Sequence, residues 1–278
     1  MKKKYCLKHF LIFSFLITAI FITGCAKSSA GFGVQDKEYL VRNVIDGDTI
    51  ELSNGKHVRY IGIDTPETMK KVGTGWLFEP ETYGVAAKEY NRELVYGKKV
   101  TLEFDMDKTD RHGRWLAYVY VGDTMANLEL VEKGYAIVYT FPPNVRYFDR
   151  LLEAQEEARR GKRGIWGEVK EISQNKAREN TGRFCAIKGI ITNISVSSRK
   201  IYLNFGDDPE KDLTALIFTG NLPLFAKEGI APATDYKGRH VEVVGKIEDD
   251  RGPVMIIDNP TQIRLIADEQ GASSGVSL

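Results

Sequence analysis

The sequence predicts a mainly β fold with helices set among the strands (α+β), arranged as two successive globular segments. Three observations carry this. Short runs rich in β-branched and aromatic residues recur between Gly, Asp and Asn turn signals, first over residues 39–121 and again over 183–267. Helix-period stretches interrupt the first series, at 83–95, 125–133 and 147–164. Between the two series lies "EISQNKARENTG", which is polar and lacks large apolar residues apart from Ile172, so residues 168–182 read as a linker.

Taken in order, the first segment opens with three strand candidates, "YLVRNVID", "DTIELS" and "HVRYIGID". "DG" at 46–47 and "NG" at 54–55 are the turns between them. An irregular insert follows, "TMKKVGTGWLFEPET". "YGVAAKEYNRELV" reads as a helix with Val85, Lys88, Tyr90 and Leu94 on a mixed face. "KKVTLEFD" and "WLAYVYV" are strands, and "MANLELVEKG" is a helix stopped by Gly134. "YAIVYTF" is extended and ends at Pro142 and Pro143. "YFDRLLEAQEEARRGKRG" is a long amphipathic helix with Leu151, Leu152, Ala154, Gln155 and Ala158 near one face. The second segment offers five strands, "RFCAIKGIITNIS", "KIYLNFG", "LTALIF", "HVEVVGKIED" and "PVMIIDNPTQIRLI", with one helical patch, "LPLFAKEG". That pattern fits a small Greek-key barrel of the OB type. The tail from residue 268 reads as disordered.

Formal net charge over the 278 residues is +1. Residues 36–170 hold 21 Lys/Arg and 23 Asp/Glu, and residues 183–270 hold 11 and 13, so each segment carries −2. No basic field advertises an anionic partner, and any such partner must be met by locally placed cations or a metal. The N-terminus is a targeting segment. A basic start, "MKKKYCLKH", precedes an apolar run of 13 residues from Phe10 to Ile22, short for a spanning helix and suited to a signal-peptide core. "ITGC" at 22–25 resembles a bacterial lipobox, which makes residues 1–24 a lipoprotein signal, Cys25 the lipidated residue and 25–38 a tether. An ordinary secretory signal cleaved near Ala30 is the alternative. Either way, only Cys185 remains in the body, so no internal disulfide is possible, and a buried inert thiol is expected there.

The chemistry-bearing residues gather at turns. Asp46 and Asp48 flank Gly47, Asp64 closes the third strand candidate and Glu67 lies three residues on. Hard cations want several such oxygens, with Asp48, Asp64 and the Thr65 carbonyl as candidates, whereas taken singly each motif is only a turn or a helix start. An EF-hand loop is excluded, since His57 stands where its terminal Glu belongs. Arg59 shares a strand face with Ile61 and Ile63, an odd place for a charge without a partner, and Arg114 follows the turn "TDRHG". Two such arginines suit a phosphate clamp, or they neutralise the nearby acids.

"VIDGDTIEL", "VRYIGIDTPET", "YG" before a helix, "TDRHGRWLAYVY", "NLELVEKGYA" and "GIW" occur in that order over residues 39–167. With them this segment resembles the staphylococcal nuclease (thermonuclease) family. The resemblance implies an OB-like five-stranded barrel with three helices and a calcium-dependent phosphodiesterase acting on DNA and RNA. It implies Asp48, Asp64 and Thr65 as Ca2+ ligands, with Asp46 just outside them. It casts Glu67 as the catalytic glutamate that serves the attacking water, and Arg59 and Arg114 as the phosphate-binding pair, with products ending in 3′-phosphates. Tyr139 matches one pocket tyrosine, while His112 and Phe141 stand where the family has tyrosines, so contacts around the terminal phosphate and base differ. His112 either donates to phosphate or caps a turn. Lys70 and Lys71 are candidate backbone contacts, with Trp76 or Phe78 able to stack on bases, in an insert that otherwise reads as a solvated loop. Residues 183–267 resemble, more weakly, small OB-type nucleic-acid-binding domains, with Tyr202, Phe205, Lys188, Arg199 and Lys200 as candidate contacts. Together these readings give an active, monomeric nuclease anchored at the outer face of the cell membrane through Cys25. The alternative is a catalytically silent nucleic-acid-binding lipoprotein, which would lack some of the acids and arginines.

Overall fold

In chain order, the first half of the computed structural model carries β1 (Glu38–Asp46), β2 (Thr49–Leu52), β3 (His57–Tyr60), β4 (Ile63–Asp64), β5 (Met69–Val72), β6 (Gly75–Phe78) and α1 (Gly84–Val95). It continues with β7 (Lys99–Glu103), β8 (Trp115–Val121), β9 (Thr124–Met125), α2 (Ala126–Glu132), β10 (Ile137–Val138), α3 (Phe148–Arg160) and α4 (Ile165–Glu168). The structure describes residues 37–267, so the expectations placed on the signal segment, Cys25 and the tail lie outside the described residues.

β1 pairs antiparallel with β2 and β7, β2 with β3, and β7 with β8, while β3 runs parallel to β8 and closes the five into a barrel. Alternation along these strands turns Val41, Ile50, Leu52, Val58, Leu102 and Val119 inward, each essentially removed from water. Full burial of such a side chain contributes roughly 1.5–3 kcal/mol. Register shifts between Val41 and Asn43 and between Val44 and Asp46 mark irregularities in β1, a device that re-aims the end of a strand and here delivers Asp46 to the turn.

The strand expected over "HVRYIGID" is interrupted. β3 ends at Tyr60 and the chain resumes as β4, paired with β10 rather than with the barrel. Gly62 is the cause: its φ of +80° belongs to the left-handed region. Tyr60, Ile61 and Ile63 are all buried, so Arg59 does not share a simple strand face with Ile61 and Ile63. In α1 the buried positions are Gly84, Ala87, Asn91 and Val95, at helical spacing, in place of the mixed face expected. In α3 they are Phe148, Leu151, Ala154, Gln155 and Ala158, with Leu152 half-buried, close to expectation. Of "YAIVYTF" only Ile137–Val138 is strand. The insert over 69–78 is a β-hairpin, β5 against β6.

The second half carries β11 (Lys170–Ser173), β12 (Phe184–Ile190), β13 (Asn193–Val196), β14 (Lys200–Asn204), β15 (Thr214–Phe218), α5 (Leu222–Lys227), β16 (His240–Asp249), β17 (Pro253–Ile256) and β18 (Ile263–Leu265). Its strands follow the order β11-β12-β16-β17-β15-β14-β13, with β18 also on β16, a coiled β region around Ile187, Leu203, Phe205, Ile217, Phe225 and Ile247. Two runs expected as single strands are each split, into β12 and β13 and into β17 and β18. At the second break Asn259 caps a short turn beginning with Pro260. The stretch expected as a linker is folded: β11 lies parallel to β12, with Ile172 opposite Ile187. The two halves meet where Trp166 packs edge-on against Phe184 at 5.5 Å and Arg159 pairs with Glu242 at 3.0 Å.

Candidate active site

The β1–β2 turn and the segment after β4 are pressed together. A Cβ on Gly47 would lie 2.6 Å from the Thr65 hydroxyl and 2.9 Å from the Ala87 Cβ, so only glycine allows this approach. Across the contact, Asp48 Oδ2 accepts the Thr65 backbone N–H at 3.0 Å and the Thr65 hydroxyl at 3.1 Å, while Oδ1 accepts from Thr49 Oγ1 at 2.9 Å. Arg59 reaches in from β3. Its Nη1 lies 3.0 Å from Asp48 Oδ2 and donates to the carbonyl of Ile63 at 2.8 Å, and its Nη2 lies 2.6 Å from Asp64 Oδ1. Asp46 Oδ1 accepts from Gly47 N at 3.0 Å and from the buried Thr68 hydroxyl at 3.3 Å. The Glu67 carboxyl lies beside that of Asp46.

The electrostatics follow from crowding. Burial works against the Arg59 cation, and the carboxylates of Asp48, Asp64 and Glu67 outweigh it, holding its pKa above the ordinary value. Burial, opposed by Arg59 and reinforced by Asp48, pushes the Asp64 carboxyl up to about 6. Loss of solvation and the neighbouring carboxyls of Asp46, Asp48 and Asp64 hold Glu67 above the usual carboxylate range. The site thus carries more negative charge than Arg59 can balance. Its donors are hard oxygens, which fit a hard cation held by Asp48, Asp64 and the Thr65 carbonyl with water completing the shell. Among the described residues no three His, Cys, Asp or Glu side chains form a ready cage, so a metal here depends on that backbone oxygen and on water.

Asp46, Asp48, Arg59, Asp64, Thr65 and Glu67 therefore converge. Tyr139 stands close enough to feel the charges of Asp258 and Asp64, and burial chiefly raises its phenol to about 12. Arg114 is engaged elsewhere: its Nε donates to Asp110 Oδ2 at 2.7 Å. Asp110 also accepts the His112 and Arg114 backbone N–H groups, so this turn is built by the aspartate, and the exposed His112 ring accepts from Arg111 Nε at 3.1 Å. Phe141 is exposed, and Lys70 and Lys71 lie on the hairpin. In the second half, Phe205 is only 1% exposed, so it belongs to the core and cannot be a base contact. Lys188 pairs with Glu171 at 2.9 Å and Lys200 lies over the Phe218 ring. Cys185 is buried, with its thiol pushed up by burial, as an inert thiol should be.

Some contributors escaped sequence reasoning. Asn91, fully buried on α1, accepts from the Tyr60 hydroxyl at 2.9 Å and donates to the Asp46 carbonyl at 3.3 Å. Its signal was available as a polar residue on the stripe between Ala87 and Val95. Glu81 clamps Glu67, with its N–H on the Glu67 carbonyl at 2.9 Å and its carboxylate accepting the Glu67 N–H at 3.4 Å. Lys246, from β16 in the second half, pairs with that same Glu81.

The sequence is similar to those of known proteins. A sequence model described as "Staphylococcal nuclease homologue" matches residues 57–168. The thermonuclease of Staphylococcus intermedius is 39% identical over 140 residues, covering 48% of this chain and 78% of that protein. The thermonuclease of Staphylococcus hyicus is 38% identical over 151 residues, covering 52% and 84%. Endonuclease YncB of Bacillus subtilis (strain 168) is 42% identical over 127 residues, covering 44% and 58%.

Proposed function

The chain belongs to the staphylococcal nuclease family, and from that premise we propose that it is a calcium-dependent nuclease that hydrolyses the phosphodiester bonds of DNA and RNA and leaves 3′-phosphates. The observation that carries this reading is the convergence of Asp48, Asp64 and Glu67 on Arg59, with Asp46 beside Glu67. Bound calcium would neutralise these acids and polarise a phosphoryl oxygen, with Asp48, Asp64 and the Thr65 carbonyl as its ligands and Asp46 acting through water. Glu67 orients the attacking water and takes its proton, a role suited to a carboxyl held above its ordinary range. Arg59 and Arg114 offer forked donors to the phosphate oxygens as charge grows in the transition state. Attack in line with the 5′-oxygen expels that oxygen. Tyr139, His112 and Phe141 flank the terminal phosphate and base.

The N-terminal sequence supports an extension of the proposal: secretion and lipid anchoring at Cys25 on the outer face of the membrane, with the chain acting as a monomer. No helix among the described residues is long and apolar enough to cross a membrane.

The test is digestion of single-stranded DNA with calcium, with chelator, and by Glu67→Gln, mapping product ends. Calcium-dependent cleavage that leaves 3′-phosphates and is weakened in the variant is expected. Binding without cleavage would overturn the enzyme in favour of a binding module on the same fold.

A further inference from the structure

The β5–β6 hairpin has no core beneath it. Met69 is half-buried and the other seven strand residues are exposed, including Val72 (55%), Trp76 (66%), Leu77 (52%) and Phe78 (65%). Its two-residue turn places Gly73 at φ +59°, the sign that twist-matched hairpin turns require. An isolated two-stranded ribbon is marginal in water, and one that presents two aromatic rings to solvent invites a covering surface.

The register says what each face offers. Met69 lies opposite Phe78 and Lys71 opposite Trp76, and residues two apart share a face, so Met69, Lys71, Trp76 and Phe78 form one side. Lys70 is on the other side, neutralised by Glu79 at 2.9 Å. Lys71 makes no ion pair or hydrogen bond with any of the described residues. This face therefore combines two exposed rings, about 6.8 Å apart along one strand, with a free cation beside them.

Both ends of the ribbon are tied to the acid cluster. Thr68, one residue before β5, is buried and donates to Asp46, and Glu81, three residues after β6, holds the Glu67 backbone through two hydrogen bonds. Whatever lies on the ringed face is continuous with the acids. Resting on the nuclease reading above, we propose that this hairpin is a stacking platform for the unpaired bases of a single-stranded substrate. Trp76 and Phe78 take the base faces and Lys71 takes a backbone phosphate. Bases within a duplex are already stacked and paired, so the platform selects single strands and frayed ends over intact duplex.

The test uses the full-length chain in chelator, so that binding is read without turnover, and follows tryptophan fluorescence. Trp76 is the exposed tryptophan, Trp115 being half-buried and Trp166 buried. A single-stranded DNA oligonucleotide should quench the emission, the matching duplex should not, and the quench should vanish in W76F. Stacking contributions of this kind correspond to roughly 5- to 150-fold in affinity, so W76A and F78A should each weaken single-strand binding by about tenfold. Equal quenching by duplex, a quench that survives in W76F, or unchanged affinity in W76A and F78A would overturn the platform. So would a Trp76 response to anionic phosphatidylglycerol vesicles but not to the oligonucleotide, which would make the hairpin a lipid-facing element. Trp76-dependent binding by a chain that does not cleave with calcium would leave the platform standing and sink the nuclease reading instead.

Discussion

Replacing Gly84 with alanine tests whether Glu67 is held by packing. Gly84 opens α1, and a Cβ there would sit 2.5 Å from the Glu67 carbonyl oxygen and 3.1 Å from that of Pro66. Ordinary contact begins at 3.4 Å, so the Glu67 backbone must retreat by about 0.9 Å, or the helix must. The carbonyl that is struck is the one that accepts the Glu81 N–H at 2.9 Å, so retreat also breaks the clamp. The effect on stability is small. Alanine is favoured over glycine in a helix by about 1 kcal/mol, close to the ~1 kcal/mol contributed by one hydrogen bond. The effect on rate is not small, because a misplacement of about 1 Å can cost on the order of 10²-fold. Initial rates on single-stranded DNA with saturating calcium, measured beside thermal melts, separate the two. The control is Gly220→Ala, whose added Cβ meets nothing within 4 Å. A fall in kcat of about 10²-fold with Tm within a few degrees is expected for Gly84→Ala. A kcat within threefold of the parent would refute the idea that this contact sets the position of Glu67.

The two arginines should respond differently. Arg59→Ala removes the buried counter-charge of Asp48, so besides a loss of about 10²–10³ in kcat it should cost about 3–5 kcal/mol in chelator, partly restored by calcium. Arg114→Ala, whose partner Asp110 lies at an outer turn, should lose a comparable factor in kcat with little change in melting; equal destabilisation by both variants would contradict the assignment. Asp258 offers a pH signature. Burial, with the charge of Asp64 nearby, raises its carboxyl from 3.8 to about 7, so the folded chain keeps a proton that the unfolded chain releases. The stability from this group is full below pH 3.8 and is lost as pH rises through 7, a span worth at most about 4 kcal/mol. Asp258→Asn should therefore be about 1–3 kcal/mol more stable than the parent at pH 8 and no more stable at pH 4, after the cost of unpaired amide protons. Denaturant unfolding at both pH values checks this, and a pH-independent difference would rule it out.

How much of this was legible follows from the range over which each determinant acts. The barrel strands were readable because turn glycines and alternating apolar residues are local, and the acids were readable because each ends or flanks a turn. The break at Gly62 was not, since a glycine within an apolar run is compatible with a continuous strand until Leu151, 89 positions away, occupies the space where its Cβ would be. The hairpin over 69–78 is irregular in sequence because its strands bury no face, so it lacks the periodicity that burial imposes. Lys246 reaches Glu81 across 165 positions, and no spacing within either segment marks that pair.

One question that the sequence left open turns on charge. Arginines placed only to neutralise acids would leave a balanced cluster, one arginine to each acid. At the barrel end Asp48, Asp64 and Glu67 gather around one arginine with Asp46 beside Glu67, and burial, reinforced by the neighbouring carboxylates, raises both Asp64 and Glu67 above the carboxylate range. A structural salt bridge gains nothing from surplus acids, because crowded like charges repel. A site that alternately holds a divalent cation and a phosphodiester needs that surplus, since the cation restores the balance and leaves the arginine forks to the phosphate. The imbalance therefore supports the proposed chemistry in a way that the residue types alone did not.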